Sequence, residues 1–466
     1  MVSSSWNGEK TVHHVVVPTK NVRHEPSANA DVTQAELAFD EGLRTDLMRS
    51  RTAMDVFRRE LEARNVQFGN KPLPTSLKGH FVARSRVTAW NRVLTRFLRI
   101  LEDTALQFLQ EPEFRRNGPF SPEALELLDI DPGYSRPAVV CRPDLVWDGD
   151  RVGLLEMNAD SPAMMLYADL VQDVQRELFP LTEIDDGDRL QFDRRIPAML
   201  EALLSTYREW GGTQPKPVIA IVDWAGQKTS TEQDHLARQF TELGCPAFVC
   251  SPDQLEVRGG RLFGRGEAID IIQRRVLFPD IVRRRAELGA FLTAYTERLA
   301  CVINPLRSYV VGCKAVLAEM CRPERLLALD TDDREVVGSV LPCTMSLDEI
   351  DRTELTDRSR WVLKPTFGSG GVGVIIGRYV DEATWNEAIT RARTGEWVVQ
   401  RYLRIPLYRV PLMTSSASAL VSLYSNWNPF FFGGVASGGI TRVSSDPVVG
   451  ISARGALLPT IIVNDE

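Results

Sequence analysis

The sequence lacks the residue patterns that hold zinc or iron–sulfur clusters. Among its 466 residues are five histidines and seven cysteines, with no C-x-x-C pair and no H-E-x-x-H motif. Zinc sites need closely spaced histidine and cysteine ligands, so we do not expect zinc catalysis. An odd, scattered set of cysteines is typical of reduced thiols in a cytoplasmic protein, where most of them fill space in the core.

Long apolar runs and an excess of basic charge are also missing. No stretch approaches 18 consecutive apolar residues, and the N-terminal segment has no continuous apolar core of the kind found in signal peptides. The formal net charge is −7, whereas nucleic-acid-binding proteins depend on a basic surface. We therefore expect a cytoplasmic protein that binds neither membranes nor nucleic acids.

Lysine is scarce, because nearly all of the basic charge is arginine. Only eight lysines occur, and beyond Pro217 there are three: Lys228, Lys314 and Lys364. A lysine among apolar residues in this region therefore deserves separate consideration as a functional group.

The length predicts two or three domains, and the texture of the chain suggests five segments. These are a mobile polar leader (1–32), a helical region (33–137), a β-hairpin with following helices (138–212), an open α/β unit (213–310) and a strand-rich unit (311–466). Within them we predict, among others, a buried parallel strand at 217–224, a helix at 283–300 and a strand at 339–345. The helical region either caps a substrate pocket formed with the rest of the chain or serves as a dimerisation element.

A glycine-rich stretch, "FGSGGVG" at 367–373, matches the dinucleotide-binding fingerprint G-x-G-x-x-G. That fingerprint requires a helix to open at the last glycine, since the helix N-terminus binds the pyrophosphate. Here "VIIGRYV" follows, which predicts a strand, so the element is a glycine hairpin and NAD binding is not expected. The hairpin is either a long turn or a cover over phosphates. Lys364, in the apolar strand "WVLKP", favours phosphates, because a buried lysine needs a negative partner.

A second group of polar residues lies in "RPDLVWDGDRVGLLEMN", residues 142–158. The Asp148-Gly149-Asp150 turn predicts a hairpin, and residues two apart on a strand share a face. Arg142 with Asp144, and Glu156 with Asn158, can then converge on one point. Oxygen ligands of this kind suit Mg²⁺ held together with nucleotide phosphates. The alternative is a solvated, salt-bridged sheet face.

Taken together, the two sites resemble the glutathionylspermidine synthase family, a circularly permuted branch of the ATP-grasp ligases. The matching pieces are R-x-D…L-E-x-N-x-D-S-P at 142–162, "VINPLRSYVVGCKAVLA" at 302–318, "WVLKPTFGSGGVGV" at 361–374 and "VVQRYL" at 398–403. The resemblance covers residues 138–466. It implies an α/β (α+β) chain with an ATP-grasp fold in circularly permuted order, preceded by the N-terminal helical region.

Roles for individual residues follow from the resemblance by position. It implies that Mg²⁺ is held by Asp144, Glu156 and Asn158, and that Arg142 assists acyl-phosphate chemistry. Phosphate contacts and the lid over them are implied for Lys314, Lys364, Ser369, Gly370 and Gly371. The adenine pocket is implied at Gln400, Arg401, Tyr402 and Leu403, and Arg442 is a further phosphate or carboxylate contact.

These observations predict an ATP-dependent carboxylate–amine ligase that uses ATP and Mg²⁺ and forms an amide through an acyl-phosphate. The expected substrates are an amino acid or short peptide and an amine. No cysteine precedes Cys141, so the N-terminal amidase of bifunctional relatives is not expected, and glutathione and spermidine are not carried over. Two rivals remain: a kinase-like phosphotransferase without an amine acceptor, and a non-catalytic ATP-grasp relative that binds nucleotide or only a partner.

Overall fold

The computed structural model describes residues 30–45, 47–148, 151–178, 190–368, 370–393, 396–413, 418–451 and 455–465. Most of the predicted leader lies outside these ranges. The described helices are α1 Ala30–Thr45, α2 Leu47–Ala63, α3 Arg84–Gln110, α4 Pro112–Asn117, α5 Pro122–Asp129, α6 Met165–Leu178, α7 Arg195–Glu209, α8 Ser230–Glu242, α9 Phe278–Arg283, α10 Gly289–Thr296, α11 Ser308–Val311, α12 Lys314–Met320, α13 Pro323–Ala328, α14 Thr331–Val340 and α15 Glu382–Ala392. None of them is long and apolar enough to cross a membrane.

The strands alternate with these helices along the chain, which confirms the predicted mixed α/β class. They are β1 Gln67–Phe68, β2 Lys71–Pro72, β3 His80–Ala83, β4 Val140–Asp148, β5 Arg151–Asn158, β6 Leu190–Gln191, β7 Ile219–Val222, β8 Ala247–Cys250, β9 Leu255–Arg258, β10 Arg261–Gly264, β11 Glu267–Ala268, β12 Ile271–Arg274, β13 Cys301–Ile303, β14 Thr344–Ser346, β15 Trp361–Pro365, β16 Ile375–Ile376, β17 Trp397–Arg401, β18 Leu407–Met413, β19 Ser418–Phe432, β20 Val435–Ser444 and β21 Gly455–Val463.

The largest sheet joins segments that are far apart in the sequence. Its order is β3-β21-β20-β19-β4-β5, with β18 paired to β19 and β6 paired to β21. The predicted hairpin of β4 and β5 thus lies beside strands of the last fifty residues. Because this sheet takes strands from the predicted segments 33–137, 138–212 and 311–466, it does not divide along those boundaries, and the domain organisation stays a prediction.

A second, parallel sheet has the order β13-β12-β7-β8. Its central strand β7 is buried at every position, which confirms the buried parallel strand predicted at 217–224. A strand buried on both faces is typical of parallel sheets covered by helices. The glycine turn at 259–260 gives the small β9-β10-β11 sheet at the edge of this unit.

The third sheet is antiparallel, with the order β14-β17-β15-β16, and α15 packs on it. It has an apolar core of its own, which contains Trp361, Trp385 and Val399. A separate apolar cluster joins the two, since Val146 of β4 packs with Val362 and Ile405. This contact leaves a cleft between the third sheet and the largest sheet.

Two predicted elements are wrong. Residues 283–300 do not form one helix: α9 ends at Arg283, and α10 runs only over Gly289–Thr296. The backbone leaves the α-helical conformation at Arg284. This break lets Ile281 and Phe291, which lie on either side of it, both reach the core.

The strand predicted at 339–345 begins later, at Thr344. Residues 339–340 end α14, whose N-terminus is capped by the Asp330 carboxylate accepting from the amide N–H of Asp333. Val337 and Val340 are buried at helical spacing, and Pro342, which has no N–H, follows the helix end. The first apolar residue of the predicted strand, Val340, therefore belongs to the buried face of a helix.

Candidate functional site

The cleft between the two sheets brings together residues that the sequence places more than 200 positions apart. It contains about 670 Å³ of atom-free space, part of which opens to solvent. The predicted site residues that line it are Asp144, Glu156, Lys364, Gly370, Gly371, Gln400, Arg401, Tyr402, Leu403 and Arg442. Arg142, Asn158 and Lys314 lie just behind this lining, and Ser369 is outside the described residues.

The β4–β5 hairpin presents its polar residues in direct cross-strand pairs. Arg142 is opposite Asn158, and Asp144 is opposite Glu156, as the alternation of the sequence predicts. The amide nitrogen of Asn158 donates to the carbonyl oxygen of Arg142 at 3.2 Å. A register shift follows Asp144, so the pairing changes beyond this point and does not disturb the two polar pairs.

Asp144 is buried between two guanidinium groups. Arg142 Nε donates to one carboxylate oxygen at 3.1 Å, and Arg442 Nη2 donates to the other. Burial acts to raise the pKa of Asp144, but the guanidinium groups of Arg442 and Arg142 outweigh it and hold the pKa below its ordinary value. Arg142 also donates to the carbonyl oxygen of Ala163 at 2.9 Å, which fixes the chain where it leaves β5.

Glu156 pairs with a lysine from another element. Lys314, at the start of α12, places its ammonium nitrogen 3.4 Å from the Glu156 carboxylate. The same ammonium donates to the carbonyl oxygen of Gly368 at 3.4 Å. Lys314 therefore links the hairpin to the beginning of the glycine loop.

Lys364 is buried, in agreement with its apolar sequence context. Its ammonium donates to the carbonyl oxygen of Leu155 at 2.7 Å and to Gln400 Oε1 at 2.5 Å. Burial lowers the pKa of Lys364 to about 7, against the opposing attraction of Glu156. Because both hydrogen-bond partners are neutral, an incoming anion would find an ammonium without a bound carboxylate.

The charges at this end of the cleft favour a polyanion. Four basic groups lie here, those of Arg142, Arg442, Lys314 and Lys364, and their ion pairs among the described residues are with two carboxylates, Asp144 and Glu156. A third carboxylate, that of Glu232, acts on Arg142 from behind the cleft. No set of three or more histidine, cysteine, aspartate or glutamate side chains within the described ranges is arranged to bind a metal by itself. The oxygen donors present fit Mg²⁺ only as part of a complex with phosphates.

The opposite end of the cleft is apolar. Val362, Ile376 and Ile405 are buried there and pack with Leu403 and Val449. An apolar slot next to a cationic end matches a ligand with a planar ring and an anionic tail.

One predicted adenine-pocket residue has a different contact. Gln400 does line the cleft, but its carboxamide bonds Lys364 and also donates to Thr344 Oγ1 at 3.1 Å. Its side chain is therefore engaged in holding the lysine.

The glycine stretch is a hairpin tip, as predicted. β15 and β16 pair antiparallel on either side of it, and a turn of 3-10 helix follows β16. In the described residues after Gly373, a strand therefore stands where a dinucleotide fingerprint needs an α-helix to begin. Gly368, Gly370, Gly371 and Gly373 all have positive φ, a conformation that favours glycine. A Cβ on Gly371 would lie 2.4 Å from Val448 Cγ1, so the loop touches the far wall of the cleft.

Besides the apolar residues of the lining, sequence reasoning missed two parts of it, namely Asn426 and the segment Pro447–Val449. The apolar residues that it did not assign are Leu155, Val362, Val374, Ile376 and Ile405. The repeated asparagines of "SNWNP", on a strand otherwise rich in aromatic residues, were a usable signal for the first. The second is an irregular segment whose place in the cleft depends on the fold, and its sequence carries no signal.

Comparison with known proteins supports the fold. No protein-family model matches the chain, and no curated protein matches it either. A glutathione synthetase-like effector from Globodera pallida, solved in its apo form, superposes with a TM-score of 0.60 at 13% identity, over 89% of this chain and 96% of that one. The chain therefore shares the fold of that glutathione synthetase-like protein over most of its length.

Weaker matches are a putative gamma-glutamylcysteine synthetase from Methylobacillus flagellatus and the D-cycloserine synthetase DcsG. The first has a TM-score of 0.39 at 11% identity, over 82% of this chain and 89% of that one. The second has a TM-score of 0.26 at 15% identity, over 53% and 92%. At these scores neither adds to the argument.

Proposed function

We propose that this chain is an ATP-dependent carboxylate–amine ligase of the ATP-grasp kind, which forms an amide through an acyl-phosphate. The observation that carries the proposal is the single cleft, cationic at one end and apolar at the other, built from both predicted motifs. The fold shared with a glutathione synthetase-like protein agrees with it. We also propose the circularly permuted order, because the carboxylate hairpin precedes the glycine loop along the chain.

In this proposal ATP lies along the cleft with its adenine in the apolar slot between Val362, Ile405 and Leu403. Its phosphates face Lys364, Lys314 and Arg442, whose combined charge exceeds that of Asp144 and Glu156 once Lys364 is protonated. The glycine loop covers the phosphates with backbone N–H groups, since its tip carries almost no side chains.

Asp144, Glu156 and Asn158 would hold Mg²⁺ together with the phosphates. The bound ion would supply positive charge that offsets the charge on the transferring phosphoryl group. Because the residues around Asp144 are already positively charged overall, we expect little binding of Mg²⁺ in the absence of nucleotide.

The reaction then proceeds in two steps. A carboxylate oxygen of the first substrate attacks the γ-phosphorus, the bond to the bridging oxygen breaks, and ADP leaves. Arg142 and Arg442 offset the charge that develops on the acyl-phosphate. The amine nitrogen of the second substrate attacks the carbonyl carbon, phosphate departs with the bonding pair, and the amine loses a proton. The closed glycine loop keeps water from the acyl-phosphate.

The expected substrates are an amino acid or short peptide and an amine. Cytoplasmic location and homodimerisation stay predictions.

The test is thermal unfolding with ATP, ADP or NAD, each with and without Mg²⁺. ATP at about 100 times its dissociation constant should stabilise the protein by roughly 2.7 kcal/mol, a shift of a few degrees in the melting temperature. Mg²⁺ should enhance the shift with ATP and have little effect alone. Lys364→Met and Glu156→Gln should remove most of the shift, whereas Lys216→Met, at an exposed lysine, should keep it.

Chemistry is tested separately with hydroxylamine, which traps an acyl-phosphate as a hydroxamate. Formation of a hydroxamate, with ADP, from a screened carboxylate supports the ligase. ADP and a stable phosphorylated product in the presence of any amine would identify the phosphotransferase instead. Nucleotide binding without ADP formation would identify the non-catalytic relative, and a shift with NAD alone would contradict the cleft assignment altogether.

A further inference from the structure

Two asparagines on β19, Asn426 and Asn428, contact the reaction centre, and neither has been given a role above. They are 3% and 0% exposed, and residues two apart on a strand share a face. β19 lies between β20, which carries Arg442, and β4, which carries Asp144. Any contact between Arg442 and Asp144 must therefore cross β19.

The Arg442 side chain makes this crossing between the two asparagines. Its Nε donates to Asn426 Oδ1 at 3.2 Å, and its Nη2 donates to Asn428 Oδ1 at 3.0 Å. The same Nη2 donates to the carboxylate of Asp144. Asn426 is the direct cross-strand partner of Arg442, and the register that pairs Trp427 with Leu145 places Asn428 opposite Asp144.

The orientation of Asn428 is fixed by its surroundings. Its amide nitrogen faces the backbone carbonyl oxygens of Asn426 at 3.1 Å and Ile440 at 3.3 Å, which can only accept hydrogen bonds. Its Oδ1 is then left to face Arg442, which can only donate. A carboxylate here would oppose both carbonyl oxygens, so an amide is the side-chain group that satisfies every contact.

We propose that Asn426 and Asn428 are positioning residues that hold the Arg442 guanidinium across β19 and against Asp144. The inference rests on the proposed function, in which Arg442 acts on the transferring phosphoryl group. Both asparagines are neutral acceptors, so they fix the guanidinium without cancelling its charge. Two carboxylates in their place would remove the positive surplus that attracts a polyanion.

The structural half of the proposal can be tested without any enzyme activity. Solvent exchange of the Arg442 Nε–H, measured by NMR and assigned through the loss of its signal in Arg442→Lys, should be slow in the wild type. Asn426→Ala removes the acceptor of this N–H and should speed its exchange by about tenfold, the scale of one lost hydrogen bond. Asn428→Leu removes the acceptor of Nη2 and should speed the Nε–H exchange indirectly, because the guanidinium is then held less firmly. Asn91→Leu, the matched substitution at a half-buried asparagine of α3, should leave it unchanged. Exchange that stays slow in both Asn426→Ala and Asn428→Leu would overturn the proposal.

The catalytic half of the proposal is tested by measuring turnover. Asn428→Leu should lower kcat by roughly 100-fold, as expected for misplacement of a stabilising group, while KM for ATP changes much less. In an Arg442→Met background the same substitution should change kcat less than about twofold, because it acts through the arginine. Additive losses in that double variant would overturn the positioning role. Asn426→Ala provides the same comparison if Asn428→Leu does not fold. A wild type without turnover would contradict the proposed function alone, since the NMR exchange still shows whether Asn426 and Asn428 hold the Arg442 guanidinium.

Discussion

At the scale of single residues, Lys364 makes nucleotide binding depend on pH. Burial first of all lowers its pKa from 10.5 to about 7, so in the empty cleft it is largely neutral above that pH. A bound phosphate favours the ammonium and raises the pKa again. Binding must therefore take up a proton, and the affinity for ATP should fall as the pH rises from about 7 to 9, by at most tenfold per pH unit. Calorimetry in buffers of different ionisation enthalpy measures both quantities.

The comparison variants isolate the lysine. Lys364→Met should bind ATP weakly and without the proton uptake, whereas Lys216→Met should reproduce the wild-type pH profile. In the protein without ligand, stability changes with pH in the opposite direction to the affinity for ATP. The unfolded chain holds more protons than the folded one between pH 7 and 10.5, so Lys364 makes the empty protein more stable as the pH rises through that window. An affinity that is constant from pH 7 to 9 would show that Lys364 does not contact the phosphates.

The residue scale also shows what sequence can and cannot supply. The burial of Lys364 was predictable, because its flanking residues in β15 are apolar and lysine is scarce. Its bond to Gln400 was not, because that contact depends on the pairing of β15 with β17 across 36 positions. The same limit hid the role proposed for Asn428, whose side chain bonds Asn426 on its own strand and Ile440 and Arg442 on β20.

At the scale of elements, the glycine loop offers an adjacent matched pair. Gly370 and Gly371 have φ of 67° and 75°, so an alanine at either position incurs a similar backbone strain of about 1 kcal/mol. A Cβ at position 370 meets nothing within 4 Å, whereas at 371 it meets Val448 Cγ1 at 2.4 Å. Gly371→Ala must therefore displace a wall of the cleft. We expect Gly371→Ala to weaken ATP binding at least about tenfold more than Gly370→Ala does, as measured by calorimetry.

Melting temperatures of the two variants without nucleotide separate strain from contact. Backbone strain should lower both by similar amounts, and any further loss in Gly371→Ala measures the cost of displacing Val448 in the empty protein. Equal ATP affinities would mean that Val448 yields freely and that the loop does not close against it.

The elements themselves were predictable where local patterns decide them. The hairpin β4–β5 followed from alternation and a turn signal, and the parallel strand β7 from a short apolar run. The interrupted helix at 283–300 was not predictable, because its break places Ile281 and Phe291 against a core assembled from other segments. Local apolar residues could not distinguish the end of α14 from a strand for the same reason.

At the scale of the whole molecule, a buried arginine connects the parallel sheet to the β4–β5 hairpin. Arg274, at the end of β12, donates to the carbonyl oxygens of Asn304 at 2.9 Å and Val276 at 2.6 Å. Its guanidinium also lies 2.7 Å from the carboxylate of Asp160, two residues beyond Asn158. The side chain is fully buried, so its contacts form within the core. This pairing of distant segments is invisible in the sequence, which shows only an arginine after an apolar strand.

Loss of this arginine should affect stability and binding together. Arg274→Met removes the guanidinium donor of several buried carbonyl oxygens and leaves the Asp160 carboxylate with the amide N–H of Phe278 but without its cation. Removing one member of a buried ion pair typically costs about 3–5 kcal/mol. Arg285→Met removes an exposed pair with Glu126 and should cost less than about 1 kcal/mol. Urea unfolding followed by tryptophan fluorescence compares the two variants, and calorimetry then measures ATP affinity in the folded state of each. Because Asp160 continues the strand that carries Glu156 and Asn158, Arg274→Met should also weaken ATP binding, whereas Arg285→Met should not. A large loss of stability with unchanged affinity would mean that the hairpin keeps its geometry without the parallel sheet.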